Sequence, residues 1–365
     1  MTSTSSSSSL PSGTSTPLSS VVSLPLSLPS RVFSPPAATH ALDLPAIRQK
    51  PSTEDLVGVL SAYAPKVGSN FIQQEVITPT GFLDWLTRLV GSGLDWLPND
   101  DDRDIVLDLA SKRISEQCGR AAAPSMTREF KVGGLSRSIM LTEPSLTADS
   151  LGLKTWGSSL LLAQRVADGR LMTALGDMKK RVLELGSGTG LVGITFAALG
   201  YSVLLTDLPG VVANLSNNLQ SNEQLFLDEE GGDDWDYAVE EIDWTRPEDS
   251  KAYKRRERFT TVVVSDPVYE VGQQVILVNA LRNFLDFDDA DATVIVQLPL
   301  RDKFSDVRSL LYSLLAEELG LVPVVVEKEA GVDDFGQGMY LYSVWRLRQA
   351  VETKGLKSID YREIE

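Results

Sequence analysis

Two of the residue types that build most catalytic sites are almost missing from this chain. Its 365 residues contain one cysteine, Cys118, and one histidine, His40. A single thiol cannot close an internal disulfide, which fits a reducing, cytoplasmic compartment. A single histidine in a low-complexity segment argues against a Ser-His-Asp triad and a histidine-based metal site, so no metal is expected. Long apolar runs are absent too. No stretch approaches the roughly 18–20 apolar residues that span a bilayer, so the chain reads as soluble, with no membrane partner. Positive charge is in deficit, with 34 Lys and Arg against 50 Asp and Glu, a formal net charge of −16. That balance repels DNA or RNA unless a basic stripe intervenes. The one basic run, Lys254-Arg255-Arg256-Glu257-Arg258, is short and interrupted, and reads as a solvated helix face. An acidic surface suits a basic partner instead.

Residues 1–45 are Ser, Thr and Pro with scattered Leu, and carry no acid before Asp43. Such a composition buries too little apolar area to offset chain entropy, which predicts a disordered tail. Transit peptides are arginine-rich, whereas Arg31 is the only basic residue before Arg48. Residues 46–127 predict a helical extension. Leu56, Val59 and Leu60 follow a capping segment at Thr53-Glu54-Asp55, and Phe82, Trp85, Leu86, Leu89 and Val90 recur at helical spacing. Ile105, Val106, Leu109 and Ile114 do the same after a turn placed at Pro98–Asp102. These stripes read as core.

The main domain is expected over 128–350, with a tail at 351–365. Residues 128–143 alternate in two short runs around Gly133-Gly134, a β-hairpin pattern. An apolar helix then covers Ser158–Val166 in the segment GLKTWGSSLLLAQRVADG. Strand patterns at 181–185, 202–206, 238–243, 261–265 and 292–297 alternate with helical ones at 190–199, 210–222, 272–285 and 303–319. That order predicts an α/β fold with a doubly wound, mainly parallel sheet. Two further strands, 322–328 and 339–346, are separated by GVDDFGQ, too short for a parallel crossover, and must pair antiparallel. The acidic stretch Asp228–Asp236 reads as a solvated insertion.

Chemistry concentrates at the strand ends. In RVLELGSGTGLVG, Gly186, Gly188, Gly190 and Gly193 follow a strand and open a helix, where free N–H groups meet a ligand. Gly188–Gly193 also satisfies GxGxxG, so the loop alone does not separate NAD from S-adenosylmethionine. Glu184 tilts the choice, because a carboxylate there repels a pyrophosphate and tolerates the ammonium of a methionine moiety. Asp207 ends the second strand, where a carboxylate accepts ribose hydroxyls or merely forms a turn. Trp244, after Asp243, can lie against an adenine ring or be an ordinary half-buried residue. Ser265-Asp266-Pro267-Val268-Tyr269 closes the fourth strand at the crevice. Pro267 biases Asp266 towards an extended conformation, and Asp266 with Tyr269 can receive an incoming amine.

The ordered set ELGSGTGLVG, Asp207, Asp243-Trp244 and DPVY, preceded by Trp156 in KTWGSSLLLA, resembles the seven-β-strand methyltransferases. More narrowly it is similar to the protein-lysine methyltransferases with a D-x-x-Y motif after the fourth strand. The resemblance covers about residues 128–346 and implies a Rossmann-like seven-stranded sheet with an antiparallel last strand. It implies S-adenosylmethionine contacts from Trp156, the Gly186-Ser187-Gly188 backbone, Asp207, Trp244 and Ser265, with Asp266 and Tyr269 facing a substrate lysine. Glu184 and Gly190 join the cofactor set on the reading above. The N-terminal extension is similar to that of a fungal member acting on elongation factor 2, which implies a translation factor as substrate and a monomeric enzyme. Pro267 departs from the pattern towards the D/N-P-P-Y/F motif of enzymes methylating planar nitrogens. Glutamine or nucleic-acid methylation, an inactive binding module and an NAD-dependent oxidoreductase therefore remain as rivals.

Overall fold

The computed structural model describes residues 38–64, 70, 78–117, 125–145, 151–171, 181–227, 236–334 and 336–364. Cys118, residues 1–37 of the tail and nearly all of the acidic stretch lie outside the described residues. Among the described residues no helix is long and apolar enough to cross a membrane.

The extension folds as three helices, α1 (Thr53–Ala62), α2 (Phe82–Gly91) and α3 (Asp100–Gln117). Ser52 caps α1, exchanging side-chain-to-backbone bonds with Asp55. Leu56, Leu60, Leu86, Leu89 and Val106 close a core of their own. Two tryptophans tie the preceding chain to it, Trp85 Nε1 donating to Pro45 O at 3.0 Å and Trp96 Nε1 to Pro51 O at 2.9 Å. Leu44 is buried in this core, so packing starts inside the segment that composition assigned to the tail. His40 caps a short turn there, its Nδ1 accepting from the Leu42 amide at 3.1 Å. The turn before α3 is also shorter than predicted, because Asp100–Asp102 favour the first helical turn, where acids meet free N–H groups.

The hairpin pairs β1 (Met126–Phe130) with β2 (Ile139–Glu143), and α4 (Gly157–Ala167) follows. Strands β3 (Val182–Leu185), β4 (Val203–Asp207), β5 (Tyr237–Glu241), β6 (Thr261–Ser265) and β7 (Thr293–Pro299) are parallel. The long strands β8 (Leu321–Asp333) and β9 (Gly336–Leu347) complete a seven-stranded sheet in the order β5-β4-β3-β6-β7-β9-β8. β9 runs antiparallel to both of its neighbours, as the short link demanded. The strands nevertheless extend well into GVDDFGQ, pairing Asp333 with Gly336. Gly336, at φ 113, supplies a backbone conformation that lets the turn be that tight.

Helices α5 (Leu191–Ala198), α6 (Pro209–Ser221), α7 (Glu223–Leu227), α8 (Lys251–Lys254), α9 (Gln273–Phe284), α10 (Ser305–Glu317) and α11 (Arg348–Thr353) fill the connections. Strand alternation divides the core in two. Leu183, Leu185, Val262, Val264, Val294 and Val296 face α9 and α10, whereas Val182, Val263 and Ile295 face α4 and α5. Burial on both faces explains why these strands read as continuous apolar runs. The C-terminal residues are not a free tail: Ile364 is buried in the α9–α10 layer, and Tyr361 donates its hydroxyl to Glu317 Oε1 at 2.8 Å.

Candidate functional site

At the C-terminal ends of β3, β4 and β6 the strand order reverses, and a cavity of about 190 Å³ opens there. Trp156, Gly186, Gly188 and Asp207 line it. Trp244, Ser265, Asp266 and Tyr269 line the same cavity. Residues far apart in sequence thus meet because parallel strands end at one edge.

The glycine loop is braced from β4. Gly186 and Ser187 donate their amides to Thr206 O at 3.0 and 2.9 Å, and the Thr206 amide returns a bond to Ser187 Oγ at 3.0 Å. Gly190 caps α5 at φ 94, a backbone that other residues adopt only under strain, and a Cβ there would stand 2.7 Å from Leu215 Cδ1 and force that side chain to move. Asp207 accepts from the Gly188 and Leu208 amides, both at 2.7 Å. Burial lifts its carboxyl above the usual range, and those two amides pull it back.

Three predicted cofactor residues, Glu184, Ser187 and Gly190, do not line the cavity. Glu184 shares the inner face of β3 with Val182 and is 1% exposed, behind the loop. Burial pushes its carboxyl up to about 8, against the pull of the Ser187 hydroxyl and the Gly193 amide. Its side chain lies under the glycine loop.

Asp266 holds the largest local surprise. It sits at φ 54, in the left-handed region, and not in the extended conformation that Pro267 suggested. The proline disfavours the right-handed helical region, and aspartate occupies the left-handed one at a cost of about 1–3 kcal/mol. Its amide donates to Gln297 O at 2.9 Å, and Ser158 Oγ donates to its Oδ2 at 3.2 Å. Burial raises its carboxyl to about 6, opposed by the nearby Arg301 guanidinium and the Ser158 hydroxyl. Tyr269 is 46% exposed at the mouth, its amide bound to Gln273 Oε1 at 2.8 Å.

Several lining residues escaped the sequence reading. Leu151, Gly152 and Lys154 come from the turn before α4, and Ile242, Gln273 and Ile276 line the cavity as well. Lys154 is bonded to Asp334, and burial lowers its ammonium to about 8. Their sequence positions carry no motif of their own, and the fold alone brings them to the cavity. Trp156 stands between two cations, with Lys154 Nζ 5.6 Å and Arg301 Cζ 5.9 Å from its ring centroid.

A family description, "Lysine methyltransferase", matches residues 136–306. The protein-lysine N-methyltransferase rrg1 of Schizosaccharomyces pombe is 31% identical over 80% of this chain and 93% of its own length. The chain belongs to the protein-lysine methyltransferase family. The protein-lysine N-methyltransferase EFM2 of Saccharomyces cerevisiae is 40% identical over 64% of this chain, and the match spans 57% of that protein. EEF1A lysine methyltransferase 3 of Xenopus tropicalis is 28% identical over 31% of this chain and 48% of its own length.

S-adenosylmethionine is the cofactor of this lysine methyltransferase, and the cavity has features that fit it. Ser265 Oγ is buried beside the cavity with no hydrogen-bond partner among the described residues, a donor left for a ligand. The Trp244 ring lies against Gly186, where a Cβ would be 3.0 Å from its Cζ2, leaving a flat apolar wall next to the glycine loop.

Proposed function

We propose that this methyltransferase modifies a lysine of a translation elongation factor, elongation factor 2 foremost. The observation carrying the reading is that Asp266 and Tyr269 line the same cavity as the glycine loop and Asp207. A methyl acceptor held by DPVY is thereby next to the methyl donor. The relatives are named for methylation of a protein lysine, and one of them for an elongation factor.

In this proposal Asp207 receives the ribose hydroxyls, Trp244 stacks on the adenine, and Ser265 and the loop backbone hold the remainder. S-adenosylmethionine supplies an electrophilic methyl on a sulfonium. The chain contributes alignment, which in favourable cases is worth on the order of 7–11 kcal/mol. Asp266, ionised above about 6, accepts a hydrogen bond from the neutral amine and fixes its lone pair in line. Tyr269 packs along the lysine stem, and the ammonium proton leaves to water. Within the basic run, Arg255 pairs with Glu240 at 2.7 Å and with Glu257 at 2.8 Å.

Trp244→Ala is expected to weaken S-adenosylmethionine binding by about 1–3 kcal/mol, the worth of one base-aromatic stack. Calorimetric titration measures it, and turnover at saturating cofactor should largely persist. The substrate is tested by labelled methyl transfer into a lysate lacking this enzyme, followed by mass spectrometry. Label on a lysine of elongation factor 2 supports the proposal. Label on another protein keeps the chemistry and discards the substrate, whereas label confined to RNA overturns both.

A further inference from the structure

Behind Asp266, away from the glycine loop, lies a polar cluster that no motif contains. Asp333 at the end of β8 is 8% exposed, and its Oδ2 accepts from two sides. Tyr340 Oη, on β9, donates to it at 3.2 Å, and Arg301 Nη2, just past β7, donates at 3.1 Å. Arg301 and Asp266 line one small cleft together, yet the ion pair of Arg301 is with Asp333 rather than Asp266. Tyr340 is 2% exposed and reaches this position only because residue 157 is glycine: a Cβ there would lie 2.2 Å from Tyr340 Oη. The cluster is thus built into the fold at the junction of α4 with the long β8–β9 hairpin.

We propose that Tyr340 and Asp333 hold Arg301 off Asp266, making Arg301 and Asp333 positioning residues that keep the Asp266 carboxylate charged but unpaired for the substrate amine. This rests on the reading of Asp266 as the group that receives the lysine. The physical logic is a balance. A guanidinium free to close on Asp266 would hold the carboxylate ionised but occupy the oxygen that the amine needs. Without the guanidinium, burial would favour the neutral acid, which is a poor acceptor. With Arg301 anchored on Asp333, its field reaches Asp266 while its donors are engaged elsewhere. Other groups facing Asp266 are the Ser158 hydroxyl from α4, the Tyr269 phenol from its own turn, and Tyr340 from β9. Arg308 on α10 lines the same cleft, and Lys154, bonded to Asp334, lies beyond Asp333.

The balance predicts shifts of opposite sign. Below neutrality, log(kcat/KM) against pH for the full chain and its protein substrate should rise with slope one from lysine deprotonation. It should steepen to slope two below the titration of Asp266. Arg301→Gln removes the cation and is expected to move that bend up by about one pH unit, whereas Asp333→Asn moves it down by a similar amount. Arg301→Lys, which keeps the charge, should restore the bend of the parent enzyme. S-adenosylmethionine affinity, measured by calorimetry, should stay unchanged in all three. A merely structural role would lower kcat/KM without moving the bend, and unmoved or same-direction bends overturn the proposal. If Asp266→Asn retains full activity, the prior reading of Asp266 has failed instead, and the two failures are told apart.

Discussion

Asp266→Asn is expected to lower kcat by about 10²–10⁴-fold while S-adenosylmethionine binding stays close to that of the parent enzyme. Asparagine keeps the size of the side chain and, like aspartate, tolerates a left-handed backbone, so the fold at φ 54 is not the variable. What changes is the acceptor. An amide offers one weakly basic oxygen and an NH₂ that points donors at an amine, which cannot hold the lone pair in line. The pH dependence carries the same sign. Burial holds the Asp266 carboxyl up at about 6, so acidification through that value protonates it and removes the acceptor. The added steepness of kcat/KM below about 6 should therefore be missing from the asparagine variant's residual rate. Steady-state methylation of the protein substrate with parallel calorimetry of the cofactor checks both statements. Full activity with asparagine would refute the role.

The second large effect is expected at Arg128→Ala, as a loss of about 3–5 kcal/mol of folding stability. Arg128 on β1 bonds Asp334 through both terminal nitrogens at 3.0 Å and approaches Glu143 at 3.2 Å. The three side chains are 5%, 2% and 7% exposed, so removing the cation takes the guanidinium from two buried carboxylates and leaves Lys154 as the cation bonded to Asp334. Desolvation already lowers the Arg128 guanidinium, with Glu143 opposing that shift. The damage should reach the cavity, because Glu143 Oε1 accepts from the Thr155 amide at 3.0 Å and Asp334 from Lys154, both in the turn that leads into Trp156. Thermal denaturation measures the loss, at roughly 2–4 °C per kcal/mol for a domain of this size. Adding Glu143→Gln and Asp334→Asn to Arg128→Met should recover part of it, since neutral groups cost less to bury. A melting temperature unchanged by Arg128→Ala would show that water reaches the acids.

What was legible in the sequence was whatever repeats along the chain or is fixed locally. The parallel core of the sheet follows from runs such as TVVVS at β6, and the antiparallel end from a link too short to cross over. The cavity was legible because the ends of parallel strands must share an edge, so Gly186, Asp207 and Asp266 had to converge. Contacts made across the sheet left no such trace. Nothing in GVDDFGQ announces that Asp333 reaches Arg301, or that Gly157 leaves room for Tyr340. Glu184 stands beside the glycines in sequence, and strand alternation turns it inward with Val182, a placement that the motif does not reveal. For Asp266, proline chemistry favoured the extended region, and the residue instead sits at φ 54 with its amide bonded to Gln297 O.

The left-handed turn at Asp266 also bears on how such an enzyme diversifies. Few side chains occupy that backbone without strain, and asparagine is one of them. Asparagine is also what the motif of methyltransferases acting on planar nitrogens admits at this place. Exchange between a carboxylate and an amide at this pre-formed position therefore changes the polar group offered to an acceptor without asking for a new backbone, whereas Val268 still departs from the second proline of that motif.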